Sequence, residues 1–219
     1  MNVKAKKYLS KSEAKELLGR KATKIDYDEV ISEETTVEYD GEILFSYIPN
    51  ALPNKLIKKV YKDIKTAAQP TLNRAVATFG GSKIQNIKKD GTRSNTVNTK
   101  VQVRSGIVGY FDRYTRTPYC RTCAWTEKNP EKWKNVLPLI HKVNSLYKKN
   151  CPDLYRNQKK AIDKCSKDFV IKDTVFTTAT VNLNWQSAFH RDAKNFEGGI
   201  FTGGAQQKGG NLLDILKTK

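Results

Sequence analysis

The sequence is poor in acid, in histidine and in long apolar runs, and each shortage removes a class of function. No stretch of about 18 apolar residues occurs, and no leading apolar segment ends in a small-residue cleavage site. Membrane spanning and secretion are therefore not expected, and the protein is read as intracellular. Four cysteines in 219 residues, Cys120, Cys123, Cys151 and Cys165, are read as free thiols in a reducing compartment. Cys120 and Cys123 have the spacing of a zinc knuckle or redox pair, but thirteen residues separate Cys151 from Cys165, so the cysteines are taken as structural. The chain holds two histidines, His141 and His190, which excludes any site needing three imidazoles from this polypeptide.

What is abundant is positive charge. Forty Lys and Arg against 22 Asp and Glu leave a formal net charge of +18. That exceeds what solubility requires and points to a polyanionic partner, with nucleic acid first in line; a soluble protein from a lysine-rich proteome is the plainer alternative. A chain of this length buries a core without disulfide staples and forms one domain, or one domain with an appendage.

Ser10 and Glu13 have capping-box spacing ahead of Ala14, Leu17 and Leu18, predicting a short helix that stops at Gly19. Asp40-Gly41 between Thr35–Tyr39 and Glu42–Tyr47 predicts a two-residue hairpin. Leu56, Ile57, Val60, Tyr61 and Ile64 recur at helical spacing, with Lys55, Lys58, Lys59, Lys62 and Lys65 between them. Those lysines can follow phosphates, although a solvated face is the commoner explanation. Residues 79–100 are poor in apolar side chains and rich in Gly, Asn, Thr and basic residues. They predict a mobile loop able to close on nucleic acid through Lys83, Lys88, Lys89 and Arg93.

Val101–Phe111 predicts a strand interrupted at Ser105-Gly106. Asn129-Pro130 opens a helix in which Pro138 is expected to cause a kink or restart, and Pro152 opens another running towards Cys165. The β-branched and aromatic run from Phe169 to Trp185 predicts one or two strands. Helices and a hairpin first, with a β-rich portion after them, suggest α+β.

Directly after the strand predicted at Thr177–Trp185 stands His190-Arg191-Asp192. An imidazole and a carboxylate one residue apart near a strand end can reach one ion, supplying two thirds of the two-histidine, one-carboxylate face that leaves iron open to cosubstrate and oxygen. The pair alone is a weak motif. Asn182 and Asn184 share a strand face and can hydrogen-bond a cosubstrate or base, or satisfy one another's neighbours across the sheet. Arg104 and Arg121 can each meet a carboxylate or phosphate bidentately, or remain solvated. His141, beside an apolar helical stripe, is read as a surface or boundary histidine.

The stretch Phe176 to Asp192, FTTATVNLNWQSAFHRD, resembles the first core strand and metal motif of the TET/JBP family of nucleic-acid base dioxygenases. SGIVGYFD from Ser105, CRTCAWT from Cys120 and PEKW from Pro130 resemble the elements that precede it there, so the likeness spans roughly residues 100 to 213. The division it implies is an unassigned segment 1–95, with helices, hairpin and basic loop, and a partial dioxygenase domain 96–219.

The resemblance implies an incomplete double-stranded β-helix, or jelly roll, preceded by helices and a β-hairpin. It also implies iron(II) held by His190 and Asp192, 2-oxoglutarate as cosubstrate, and a thymine or 5-methylcytosine methyl group in DNA as the oxidised position. The base would be flipped out of its duplex to reach the metal. The family pattern places a second metal histidine and an arginine for 2-oxoglutarate well beyond Asp192, whereas the 27 residues that follow here contain neither. The expectation is a truncated, split or degenerate copy, active with a complementing chain that supplies both, or else a non-catalytic basic remnant that binds nucleic acid.

Overall fold

The computed structural model describes residues 1–6, 9–17, 30–71, 85–87, 93–97, 104–111, 118–183, 189, 204–206 and 211–213. β1 (Asn2–Lys4) leads to α1 (Lys11–Glu16), whose start carries the expected capping box. The Glu13 amide donates to Ser10 Oγ at 3.3 Å, and the Ser10 amide donates to Glu13 Oε2 at 2.7 Å. The predicted stop at Gly19 lies outside the described residues. β2 (Thr35–Tyr39) and β3 (Glu42–Tyr47) form the hairpin, with Asp40 at φ 53° and Gly41 at φ 80°, the left-handed pair that a tight two-residue turn demands. β1 adds to β2 in parallel; the other strand pairs of the described residues are antiparallel.

α2 (Asn54–Ile64) turns Val60 and Ile64 inward and its lysines outward. It passes through a 3-10 turn, Lys65–Ala67, into the short β4 (Gln69–Pro70). The loop expected over residues 79–100 is in part a hairpin: β5 (Gln85–Ile87) pairs with β6 (Arg93–Val97), and Arg93 heads the second strand opposite Ile87. Little in the sequence warned of it, because QNI and RSNTV lack the apolar alternation that marks a half-buried strand.

β7 (Arg104–Phe111) is continuous through Ser105-Gly106, contrary to the expected break. Gly106 is there for close approach. A Cβ built on it meets the Ala67 carbonyl oxygen at 1.9 Å and the Ala67 carbonyl carbon at 2.8 Å, so only glycine lets the 3-10 turn lie against the strand. β7 is the central strand of a four-stranded sheet. β9 (Thr178–Leu183) runs along one side of it, while β4 and β8 (Arg121–Thr122) take the two ends of the other.

α3 (Ala124–Lys128), α4 (Pro130–Asn150) and α5 (Pro152–Ile162) precede β9. α4 runs unbroken through Pro138, where a kink or a restart was expected, so the helix does not restart there. A mid-helix proline costs about 3 kcal/mol. Val136, Leu139 and Ile140 around it are all buried, and each such burial is worth about 1.5–3 kcal/mol, so tertiary packing wins. Asn129 does not cap α4 with its side chain but donates to the Trp125 carbonyl at 2.8 Å.

The core joins Val60 and Ile64 of α2, Val136, Ile140 and Tyr147 of α4, Val108 of β7, and Ala179 and Val181 of β9. A second 3-10 turn, Lys167–Phe169, and a reverse turn at 171–176 enter β9, so the described part of the Phe169–Trp185 run, up to Leu183, holds one strand. β10 (Gly204–Gln206) and β11 (Asn211–Leu213) form a further antiparallel pair, with β11 lying beside β9. The fold is thus α+β with antiparallel sheets. Among the described residues no helix is long and apolar enough to cross a membrane.

Candidate active site

In sequence, β9 is the strand that comes before the His190-Arg191-Asp192 motif, and its entry is fixed by buried polar groups. Gln158 of α5, 1% exposed, donates to the Val175 carbonyl at 2.8 Å and accepts from the Tyr147 hydroxyl at 3.1 Å. Asn144 of α4 accepts from the Val175 amide at 3.1 Å. Thr174 Oγ1 donates to the Ile171 carbonyl at 2.8 Å and accepts from the Phe176 amide at 3.1 Å. Two helices therefore hold the turn before β9 by both backbone groups of one residue, and that fixes where the strand starts.

Register with β7 then fixes the two faces. Gly106↔Val181 and Val108↔Ala179 point to the helices, while Ser105↔Asn182 and Ile107↔Thr180 point the other way. The second face is polar yet covered: Thr180 is 4% exposed and Asn182 2%. The Ser105 hydroxyl donates to Asn182 Oδ1 at 2.6 Å, a direct cross-strand bond. A face that is both buried and hydroxyl- or amide-bearing is costly unless its groups are hydrogen-bonded, and Asn182 meets that condition at least in part through Ser105.

The other sequence-predicted residues are distributed as follows. His190, Asp192 and Asn184 lie outside the described residues, as do Lys83, Lys88 and Lys89; Arg93 is described only as the first residue of β6. Arg104, exposed, sits at the end of β7 opposite Leu183, the last residue of β9 before the motif. Strand alternation gives it the parity of Gly106 and Val108, not that of Ser105 and Asn182.

Arg121 is paired with Phe111 at the far end of β7, seven residues along from Arg104, or about 23 Å at strand rise. Its guanidinium lies 5.1 Å from the Phe111 ring centroid, and its Nε is buried without a hydrogen-bond partner among the described residues. The two arginines are not brought together. His141 Nε2 stands 2.9 Å from the Lys172 carbonyl, an ordinary boundary position. Cys123 is buried at the start of α3, and burial pushes its thiol up to about 11 against a weaker downward pull from Arg121. Among the described residues no group of three or more His, Cys, Asp or Glu is placed to hold a metal ion.

Comparison with known proteins bears on the stretch that contains most of β7 and all of β9. Residues 106–202 match a family described as the oxygenase domain of the 2OGFeDO superfamily. A bifunctional helicase and thymine dioxygenase JBP2 of Trypanosoma brucei brucei is 36% identical over 100 residues, 44% of this chain and 9% of that protein. A thymine dioxygenase JBP1 of the same organism is 30% identical over 162 residues, 73% of this chain and 16% of that one. A thymine dioxygenase JBP1 of Crithidia fasciculata is 39% identical over 99 residues, 43% of this chain and 12% of that one. The chain thus covers less than a fifth of each of these relatives. The superfamily's abbreviation states the cofactors its members use, iron and 2-oxoglutarate. Over residues 106–202 this chain belongs to the Tet_JBP family of that superfamily.

Proposed function

We propose that this chain supplies the first two metal ligands of an Fe(II)- and 2-oxoglutarate-dependent dioxygenase that oxidises the methyl group of thymine in DNA. The observation that carries the reading is the match over residues 106–202, which spans β7 from Gly106 on, the buried polar face of β9 and the His190-Arg191-Asp192 motif that follows it in sequence. Imidazole and carboxylate are the donor types iron(II) takes in such sites, so the residues present fit the metal as far as they go. Bound iron(II) with 2-oxoglutarate would supply the oxidising power for an otherwise inert methyl group. The protein's own part is to hold the ligands, position the base and exclude water.

In this reading β9 and β7 are the first strands of a double-stranded β-helix, and the Ser105, Thr180 and Asn182 face is its interior. A thymine flipped from the duplex would enter from the end where β9 stops. Arg104 stands at that end, but with the opposite face parity, and Arg121 stands some seven residues away. Neither is therefore assigned the 2-oxoglutarate carboxylate, and the reading asks for that arginine and a second histidine from outside these 219 residues, on the same polypeptide or a complementing chain. His141, tied to the Lys172 carbonyl, is not the missing ligand.

The thymine assignment follows the names of the relatives. 5-Methylcytosine is the competing substrate. The presence of two histidines in the sequence, one of them structural, favours a second reading as a non-catalytic DNA-binding relative. The test is iron-dependent release of succinate from 2-oxoglutarate with a thymine-containing duplex, measured for the chain alone and with the complementing segment of a relative added. Turnover in either setting that disappears in His190→Ala supports the dioxygenase. No turnover in either setting, with duplex binding retained, supports the second reading.

A further inference from the structure

We propose that the outer face of α2 is a nucleic-acid backbone track that delivers a duplex to the end of the sheet where β9 stops, a proposal that rests on the DNA-substrate reading above. Lys55, Lys58, Lys59, Lys62 and Lys65 are all exposed. At about 100° per residue they occupy an arc of roughly 120° and extend about 15 Å along the axis, room for some four phosphates of one strand at roughly 3.4 Å rise each.

The charge on this face is uncompensated among the described residues. Among the described residues none of the five lysines forms an ion pair; Lys65 Nζ lies 5.2 Å from the Tyr61 ring centroid. Asp63, the one acid on the helix, is buried and accepts from Asn135 Nδ2 at 3.0 Å, so it is turned away from the strip. α5 is organised oppositely. Arg156 is paired with Asp153, and Lys159 and Lys167 with Asp163. A merely solubilising surface has no reason to interleave acids on one helix and exclude them from another.

The direction of the strip is the second observation. α2 ends in the 3-10 turn that Gly106 holds against β7, and the chain passes into β4, whose Pro70 pairs with exposed Arg104, which in turn pairs with Leu183. The lysine face thus leads through Arg104 to the residue before the motif-bearing segment. Arg104 has the parity of the helix-covered face, which suits a phosphate contact continuing the strip better than a ligand inside the sheet.

The test compares the full chain with Lys55→Gln/Lys58→Gln/Lys59→Gln/Lys62→Gln and with a control of equal charge, Lys149→Gln/Lys160→Gln/Lys164→Gln/Lys172→Gln. Each is titrated by fluorescence anisotropy against a labelled 20-base-pair duplex at several salt concentrations. Glutamine keeps helix propensity, and circular dichroism checks that all three fold. If the strip contacts four phosphates, its variant loses about 3.6 from the slope of log affinity on log salt, equivalent to roughly 150-fold between 50 and 200 mM salt, while the control loses less than 1. Equal losses in both variants, or none in the α2 variant, overturn the track and leave the DNA reading standing. A wild-type chain with no salt-dependent duplex binding overturns both.

Discussion

Replacing Gly106 by alanine puts one methyl group where the 3-10 turn after α2 touches β7. The added Cβ lies 1.9 Å from the Ala67 carbonyl oxygen and 2.8 Å from its carbonyl carbon. Both are backbone atoms, so no flexible side chain can yield. The turn must separate from β7, and with it go the Gln69↔Ser105 and Pro70↔Arg104 pairings and the contact of buried Ala67 and Ala68 with the core. Overpacking a rigid site costs about 1–3 kcal/mol, and losing a strand pairing adds about 1 kcal/mol, so the expected loss is about 2–4 kcal/mol. For a chain of this size that is a fall of roughly 4–16 °C in Tm. Urea unfolding followed by tryptophan fluorescence reads it directly, and Gly41→Ala, where the space is open, serves as a control for backbone strain alone. A loss below about 1 kcal/mol in Gly106→Ala would refute the claim that this glycine sets the distance between α2 and the sheet.

Gln158→Leu strips both hydrogen bonds from a site 1% exposed and leaves the Val175 carbonyl and Tyr147 hydroxyl without that partner, so denaturant unfolding should show a loss of about 2–3 kcal/mol. Cys165, exposed, should react with a thiol reagent at pH 8 within mixing time, while Cys123 reacts only as the protein unfolds. Because burial raises the folded Cys123 thiol from 9.0 to about 11, its contribution is fully present below pH 9 and is lost as pH rises towards 11; stability profiles of wild type and Cys123→Ala should converge over that window. Arg121→Gln should leave the Michaelis constant for 2-oxoglutarate unchanged in any active preparation, because its stack on Phe111 lies at the far end of β7; a tenfold rise would place the cosubstrate there instead.

Features encoded by adjacent residues were legible beforehand: the Ser10–Glu13 box, the Asp40-Gly41 turn, the lysine-faced helix over 54–64, the proline starts at 130 and 152, and the strand that precedes His190. Each is a short-range rule acting on its own residues. The misreadings were decisions taken by distant parts of the chain. Ser105-Gly106 looks like a strand break until Ala67 is known to press against it, and Pro138 looks like a helix break until the burial of Val136, Leu139 and Ile140 is weighed. The β5–β6 hairpin escaped because its strands are polar and carry no apolar alternation. The family was readable from residues 176–192. The opposite placement of Arg104 and Arg121 was not, since it depends on β4 and β8 taking different ends of the same side of β7.

The account turns on His190 and Asp192 holding a ferrous ion. Cobalt(II) titrated anaerobically into the full chain, with 2-oxoglutarate added afterwards, reports ligand identity through its visible absorption. The account predicts bands that are lost in His190→Ala and in Asp192→Ala and retained in His141→Ala and in Cys120→Ser/Cys123→Ser. Bands that survive His190→Ala, or that vanish with the cysteines, would contradict it.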